Sequence, residues 1–132
     1  MAEDPRTLSA AALEFVTERH LATLTTIRAD GTPHVVPVGF TWDAAAVEAW
    51  VITSRTSRKA RHAAAGSAAA LCQVEGGRWL TLQGAARLVE DPAAVREAEA
   101  RYARRYRQPR PNPLRAVVVV RVTSVLVGTL LR

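Results

Sequence analysis

A segment rich in hydroxyl groups and cations, residues 53–61, is the part of the sequence best suited to chemistry. It runs Thr-Ser-Arg-Thr-Ser-Arg-Lys-Ala-Arg and leads from a predicted strand into a predicted helix. Cations in the first turn of a helix oppose its dipole, so the segment works against local stability. A bound anion resolves that conflict, because free N–H groups, hydroxyls and guanidinium groups all point at it. The spacing therefore favours a phosphate site; the alternative is a solvated basic turn.

Two strand segments are candidate contacts for a planar ligand. Trp79 follows Arg78 at the start of a predicted hairpin strand, where the indole can present a flat face to a ring system, although tryptophan on a strand is more often core. Pro37, between Val36 and Val38, cannot donate a hydrogen bond to a sheet ladder. One side of that strand is therefore an edge, a bulge or a ligand surface. An edge strand with a tolerated proline is the equal alternative.

A run of arginines follows near the end of the chain. Arg101, Arg104 and Arg105 share one face of a predicted helix, and Arg107, Arg110 and Arg115 come after it. A nucleic-acid patch is the obvious interpretation. However, few aromatic residues are available for base stacking, and Glu97 can pair with Arg101 in the same helix. We favour a solvated face or a small polyanion site and expect no nucleic-acid partner.

The motifs of several enzyme classes are absent. Neither standard nucleotide-binding loop occurs, nor does the G-x-S-x-G elbow. His20, His34 and His62 lack the spacing of metal ligands, so we expect no metal site. Cys72 lies in an apolar strand, which favours a buried, inert thiol. If the protein is an enzyme, a cofactor carries the chemistry.

Chain length and net charge indicate the number of domains and the kind of partner. The 132 residues are enough for one domain, which we place at residues 1–132. The 18 Lys and Arg against 12 Asp and Glu leave +6, which favours an anionic partner: phosphate, carboxylate or nucleic acid. No stretch approaches the roughly 18 apolar residues of a membrane span, and the acidic start is not a secretory signal. We expect a cytoplasmic protein that does not bind membranes.

Hydrophobic periodicity and turn signals predict the elements that position these residues. Asp30-Gly31 and Glu75-Gly76-Gly77 are hairpin turns, Gly66 ends a helix, and Asp91-Pro92 begins one. Hairpin links imply antiparallel pairing. About six strands of this length are therefore predicted to form a small barrel with helical insertions. Strands are predicted at 21–28, 34–42, 47–53, 68–74, 78–89 and 115–131, with a bend in the last at Gly128, and helices at 8–19, 57–65 and 92–106.

Three phrases together resemble a known family. They are Arg19-His-Leu-Ala-Thr-Leu-Thr-Thr, Asp30-Gly-Thr-Pro-His-Val-Val-Pro-Val-Gly-Phe and Arg78-Trp-Leu-Thr-Leu-Gln-Gly. Their order and spacing resemble the split-barrel flavin-binding superfamily that includes pyridoxamine 5'-phosphate oxidase. Within it, the chain most resembles the actinobacterial branch that uses the deazaflavin coenzyme F-420. Residues 53–59 and 101–113 are similar to its biliverdin reductase members, and the resemblance extends from about residue 8 to 127.

The resemblance implies a six-stranded antiparallel split β-barrel that forms a homodimer, with two cofactor sites at the subunit interface. The cofactor ring would pack on Val36, Pro37 and Val38, with Arg78 and Trp79 coming from the partner subunit or closing the pocket. The arginine run would hold the cofactor's oligoglutamate tail or a substrate's propionates. The phosphate would lie at Thr53, Ser54, Ser57, Arg58 and Lys59.

The same resemblance implies that reduced coenzyme F-420 donates a hydride to a conjugated acceptor, such as biliverdin. No side chain is expected to act as a nucleophile, and the proton would come from solvent or from an arginine-bound water. Two alternatives stay open. One is an FMN-dependent oxidase or flavin reductase of the same fold, and the other is a non-enzymatic basic module that binds heme or RNA.

Overall fold

Seven antiparallel strands form one sheet in the computed structural model, which describes residues 2–132. Three α-helices connect or cover the strands, and short 3-10 turns lie at Pro5–Thr7 and Thr129–Leu131. The helices are α1 (Ala10–Phe15), α2 (Arg58–Ala65) and α3 (Pro92–Arg105). The strands are β1 (Ala22–Ile27), β2 (Pro33–Val38), β3 (Thr41–Asp43), β4 (Glu48–Ser54), β5 (Ser67–Glu75), β6 (Arg78–Val89) and β7 (Arg115–Val127).

The strand order forces the sheet to curl into a barrel that is open along one seam. In space the strands run β2-β1-β5-β6-β7-β4-β3, so β2 and β3 form the two edges. These edges are consecutive in the chain, with only Gly39 and Phe40 between them. Three Cα steps of ~3.8 Å cannot cross a flat seven-stranded sheet, so the two edges must lie close together. The predicted antiparallel split barrel is confirmed.

The sheet has seven strands rather than the six predicted, because the expected strand 34–42 is interrupted at Gly39. A Cβ on Gly39 would lie 3.0 Å from the rings of both Tyr102 and Tyr106. The glycine therefore lets α3 press its tyrosines against the chain at the point where it crosses from one edge of the barrel to the other. Sequence patterning alone did not reveal this contact.

The core explains the burial pattern of the strands. β1 alternates buried and exposed residues, as expected for a strand with one face toward the barrel interior. In contrast, residues 116–120 of β7 are buried without alternation. Val118 and Val120 belong to the barrel core, whereas Val117 and Val119 pack with Ala98 of α3 on the opposite face. The apolar run therefore marks a strand that is covered on both sides.

The two helices near the basic residues begin and end as predicted. The Ser57 hydroxyl accepts a hydrogen bond from the Ala60 N–H at the start of α2, and Gly66 ends it with φ +79°. The Asp91 carboxylate accepts from the Ala94 N–H, with a proline in the first turn of α3. Within residues 2–132, no helix is long and apolar enough to cross a membrane.

Two predicted boundaries were wrong. The first helix was expected to reach residue 19 but ends at Phe15, whose carbonyl accepts a hydrogen bond from the buried amide of Gln73. The last strand was expected to reach residue 131 but ends at Val127. There the Trp79 indole packs against Gly128, where a Cβ would lie 2.6 Å from Nε1. In both places a long-range contact ends the element.

Candidate functional site

A cleft with a positively charged lining opens where the end of β2 meets the start of α2 and the segment after α3. We call it the basic cleft, and its volume is about 360 Å³. The lining holds four cations and no carboxylate among the described residues. It consists of Pro37, Val38, Gly39, Ile52, Lys59, Tyr102, Arg107, Gln108, Pro109, Arg110 and Arg115. Such a lining is suited to an anionic ligand.

Lys59 is the cation that most needs a ligand. Its side chain is half-buried, and burial alone lowers the pKa of its ammonium group. No described carboxylate or hydrogen-bond acceptor compensates for this lost solvation. A partly desolvated charge without a partner is unfavourable, and an anion in the cleft would remove the penalty.

The arginines of the cleft have different roles. Arg115 donates to the Glu99 carboxylate at 3.1 Å and to the carbonyl of Arg110 at 2.7 Å, so its charge is already paired. Arg107 and Arg110 are exposed and form no ion pair with the described residues. The cleft therefore has three cations available to a ligand: Lys59, Arg107 and Arg110.

The predicted phosphate-binding hydroxyls hold the turn before α2 in place. Thr53 donates to the Ser57 hydroxyl at 2.9 Å, and Ser57 also accepts from the helix N–H of Ala60. Both acceptor positions of Ser57 are thus occupied, which leaves its own proton free for a ligand. The Ser54 hydroxyl accepts from the Asn112 amide at 2.7 Å, which fixes the segment after α3 against this turn.

β2 is an edge strand, which is one of the alternatives that the proline at position 37 left open. Val36 and Val38 pack toward the core, whereas Pro37 is exposed. On the neighbouring strand, the Ile27 N–H points toward β5, where it donates to a serine hydroxyl. Antiparallel alternation then directs the backbone groups of Pro37 to the open edge. The strand therefore offers the proline ring and its carbonyl to a ligand rather than the two valine side chains.

The structure does not bring all ten predicted site residues together. Lys59, Pro37 and Val38 line the basic cleft, and the three hydroxyl residues form the adjoining turn. Arg58 instead lines a neighbouring groove with Arg28, Arg61 and His62. Its place in the phosphate site stays a prediction.

Arg78 and Trp79 lie away from the basic cleft of their own subunit. Thr53 pairs with the beginning of β7, whereas Leu80 pairs with its end. At ~3.3 Å per residue, these positions are roughly 35 Å apart along the strand. Arg78 instead donates two hydrogen bonds of 3.0 Å to Glu18. These two residues cannot close the cleft from within the same subunit, and their supply by a partner stays a prediction.

A pair of histidines, one from α2 and one from β2, lies outside the lining of the basic cleft. His62 is 2.8 Å from the Thr26 hydroxyl, and its ring meets that of His34 edge to face at 5.2 Å. Nδ1 of His34 is buried and has no partner among residues 2–132. Burial, followed by the charges of His62 and nearby basic residues, lowers the pKa of His34. No group of three or more metal-ligating side chains comes together within this part of the chain.

The arginine run was predicted to be a solvated face or a small polyanion site, and the solvated face is wrong for three of its members: Arg101, Arg105 and the already paired Arg115. Arg101 pairs with Asp43 at 2.8 Å and with Glu97 at 3.1 Å, the second of which the sequence suggested. Arg105 is half-buried and donates to the side chain of Gln73 and to two carbonyls. Only Arg104 on that face is largely exposed. Arg101 and Arg105 therefore attach α3 to the barrel.

Sequence reasoning missed Tyr102 and did not assign Arg107 and Arg110 to the cleft. The available signal was the pair of tyrosines one helical turn apart, directly before an arginine- and proline-rich segment. Only the tertiary structure shows that Gly39 receives the tyrosine rings and that the segment then turns toward Lys59.

These features define a split-barrel protein with a cation-lined cleft beside one open edge strand. Residues 8–127 match the family described as pyridoxamine 5'-phosphate oxidase, and the chain belongs to that family.

Two comparisons refine its place in the family. The chain is 56% identical over 119 residues to an F420H(2)-dependent biliverdin reductase of Mycobacterium tuberculosis, covering 90% of this chain and 87% of the relative. It also resembles a solved structure called F420 reductase, with a TM-score of 0.70 and 25% identity, over 86% of this chain and 94% of the other.

A third comparison supports the fold alone. The conserved hypothetical protein Rv2991 of Mycobacterium tuberculosis superposes with a TM-score of 0.79 at 22% identity. The match covers 92% of this chain and 85% of that one.

Proposed function

We propose that this protein is an oxidoreductase that uses reduced coenzyme F-420 and reduces a conjugated, negatively charged acceptor such as biliverdin. The observation that carries the proposal is the basic cleft, in a chain 56% identical to an F420H(2)-dependent biliverdin reductase. The residues present fit an anionic cofactor, because Lys59 is half-buried without a counter-charge among residues 2–132 and no carboxylate of that range lines the cleft.

In this proposal the protein's own residues bind the cofactor and orient it relative to the acceptor. The phosphate of the cofactor lies against Lys59 and the free proton of Ser57, and the exposed Pro37 provides a flat surface for the ring. When bound, the reduced deazaflavin supplies a hydride to the acceptor. No side chain is needed as a nucleophile, because alignment and the electrostatic field provide the catalysis. The proton comes from solvent or from a water held by an arginine.

Biliverdin suits the charge of the protein. Its two propionates are negative at neutral pH, whereas the chain carries a formal charge of +6. Several arginines, including Arg107 and Arg110, are exposed and form no ion pair with the described residues. Anionic substrates are attracted to such a surface before they reach the site.

We further propose that two copies of the chain associate through the outer face of β1, β2, β5 and the part of β6 paired with β5. None of the outward side chains on this face carries a charge, although 18 cations and 12 carboxylates occur in the chain. A broad uncharged surface is typical of protein interfaces. These side chains are Thr23, Thr25, Ile27, Pro33, Val35, Pro37, Ala68, Ala70, Cys72, Val74, Trp79, Thr81, Gln83 and Ala85.

The proposed association would also bring Trp79 of one copy to the cofactor of the other. This residue is partly exposed on this face and remote from the cleft of its own subunit, so only a second copy can present it to the cleft. An Ala70→Glu substitution places a charge in the centre of the face. We expect this variant to be monomeric by light scattering and to bind the cofactor more weakly. The control variant Ala93→Glu, at an exposed position of α3, should stay dimeric. A dimeric Ala70→Glu variant would contradict this proposed interface.

The function is tested by titrating cofactor-free protein with F-420 and with FMN while following tryptophan fluorescence. Tight F-420 binding with weak FMN binding, followed by bleaching of biliverdin when reduced F-420 is supplied, is the expected result. Tight FMN binding with weak F-420 binding would instead support an FMN-dependent oxidase or flavin reductase. If neither molecule binds, the cofactor proposal fails.

A further inference from the structure

A second pocket lies next to the basic cleft, on the other side of Tyr102. We call it the side pocket; its volume is about 300 Å³, and it is lined by Arg19, His20, Leu21, Tyr102, Tyr106 and Arg107. Tyr102 and Arg107 also line the basic cleft. The two pockets are therefore adjoining compartments that share a wall.

The wall between the compartments is rigid. The Tyr106 hydroxyl donates to the carbonyl of His20 at 2.6 Å and accepts from the N–H of Phe40 at 3.2 Å. The Tyr102 ring packs against that of Tyr106 with a centroid distance of 4.9 Å, and both rings press on Gly39. A side chain held in this way preserves the shape of the pocket before a ligand arrives.

The open part of the side pocket combines an apolar surface with positive charge. Leu21 is 61% exposed, which is high for a large apolar side chain beside a pocket. Arg19 is exposed and forms no ion pair with the described residues. The ring nitrogens of His20 face Glu18 at 3.0 Å and Glu75 at 3.7 Å, so both nitrogens already have carboxylate neighbours. The cations of this pocket that have no ion-pair partner within residues 2–132 are Arg19 and Arg107.

We propose that the side pocket binds the carboxylate-bearing end of the acceptor, with Arg19 and Arg107 pairing with the carboxylate and Leu21 covering its apolar body. The inference rests on the proposed function and adds the subsite that selects the substrate. It implies an elongated, conjugated acceptor whose acidic group lies across Tyr102 from Lys59. The cofactor phosphate and the acceptor carboxylate then occupy different compartments, which keeps the two ligands from competing.

The test compares biliverdin with its dimethyl ester, which has the same conjugated system without free carboxylates. Binding of each to cofactor-free protein is followed by absorbance, for the wild type and for Arg19→Ala, Leu21→Ser and Arg96→Ala. Arg96 is an exposed arginine of α3 that also lacks an ion pair among the described residues, so it controls for the loss of one charge. F-420 affinity is measured for the same four proteins.

We expect Arg19→Ala to weaken biliverdin binding by about tenfold and to leave binding of the ester and of F-420 unchanged. Leu21→Ser should weaken biliverdin and ester alike, because it removes apolar contact from both. An equal loss in Arg19→Ala and Arg96→Ala would overturn the subsite, since the effect would then be general electrostatics. A loss of F-420 affinity in Arg19→Ala would also overturn it, because the pocket would then serve the cofactor.

The proposed function and the subsite fail in different ways. If the wild type binds F-420 but not biliverdin, the subsite for this acceptor is refuted while the cofactor assignment stands. If it binds biliverdin in an Arg19-dependent manner but not F-420, the subsite stands and the proposed function is refuted.

Discussion

Replacing Lys59 by methionine should separate ligand binding from folding. Methionine keeps an unbranched apolar chain of similar length and removes only the ammonium group. Because burial lowers the pKa of Lys59, the folded protein holds the charged form less favourably than the unfolded chain does. The substitution should therefore leave the unfolding free energy of the cofactor-free protein unchanged or raise it.

The effect on the cofactor should be large and opposite in sign. A hydrogen bond between charged groups contributes about 1.5–3 kcal/mol, and ~1.4 kcal/mol corresponds to tenfold in affinity. Loss of Lys59 should thus weaken F-420 binding by about 10- to 100-fold. Arg58→Ala removes the same charge one residue earlier, but from a side chain that lines the neighbouring groove. We expect a smaller loss from this variant.

The assay is calorimetric titration of F-420 into each variant, with thermal denaturation of the cofactor-free proteins alongside. Arg96→Ala serves as the matched control for net charge. Less than threefold loss of affinity in Lys59→Met would refute the assignment of the anion to the basic cleft. A Lys59→Met protein that melts well below the wild type would contradict the inference that the lysine lacks a partner.

Other predictions concern the surroundings of the site. The pKa of His34 lies below its usual 6.5, so on acidification the unfolded chain takes up a proton that the folded protein does not. The unfolding free energy should therefore fall as the pH drops through about 6.5. Urea titrations at several pH values should show a smaller decrease for His34→Gln than for the wild type. Gly39→Ala should lower the unfolding free energy by about 1–3 kcal/mol in denaturant titrations, because its Cβ meets two tyrosine rings; unchanged stability would mean that the rings move freely. Arg105→Met should cost about 2–4 kcal/mol, because it leaves the Gln73 side chain and two carbonyls without their donor, and Arg105→Lys should restore only part of this stability.

Local signals predicted the parts of the site that depend on neighbouring residues. Ser57 caps α2, Gly66 ends it, and Pro37 lies on an open edge, each because one residue type suits one backbone position. The conflict between clustered cations and a helix N-terminus also pointed to Lys59. Its half-burial, with no counter-charge from the part of the chain that the structure describes, supports that interpretation.

Long-range packing decided the remaining features. A helical wheel places Arg101, Arg104 and Arg105 on one face. It does not show that Arg101 pairs with Asp43, or that Arg105 donates to the Gln73 side chain and to two backbone carbonyls. Likewise, the positions of Arg107 and Arg110 depend on a chain segment fixed through Asn112 to the turn before α2. Neither contact has a signature within a window of neighbouring residues.

The sequence by itself therefore determined the antiparallel barrel, the ends of α2 and α3, and the basic segment beside an edge strand. These follow from residue preferences and from patterns that extend over only a few positions. The tertiary structure alone decided which cations remain available to a ligand and which form ion pairs or hydrogen bonds within the protein. Whether a charge is paired depends on side chains that are distant in the sequence, and barrel closure brings those side chains together.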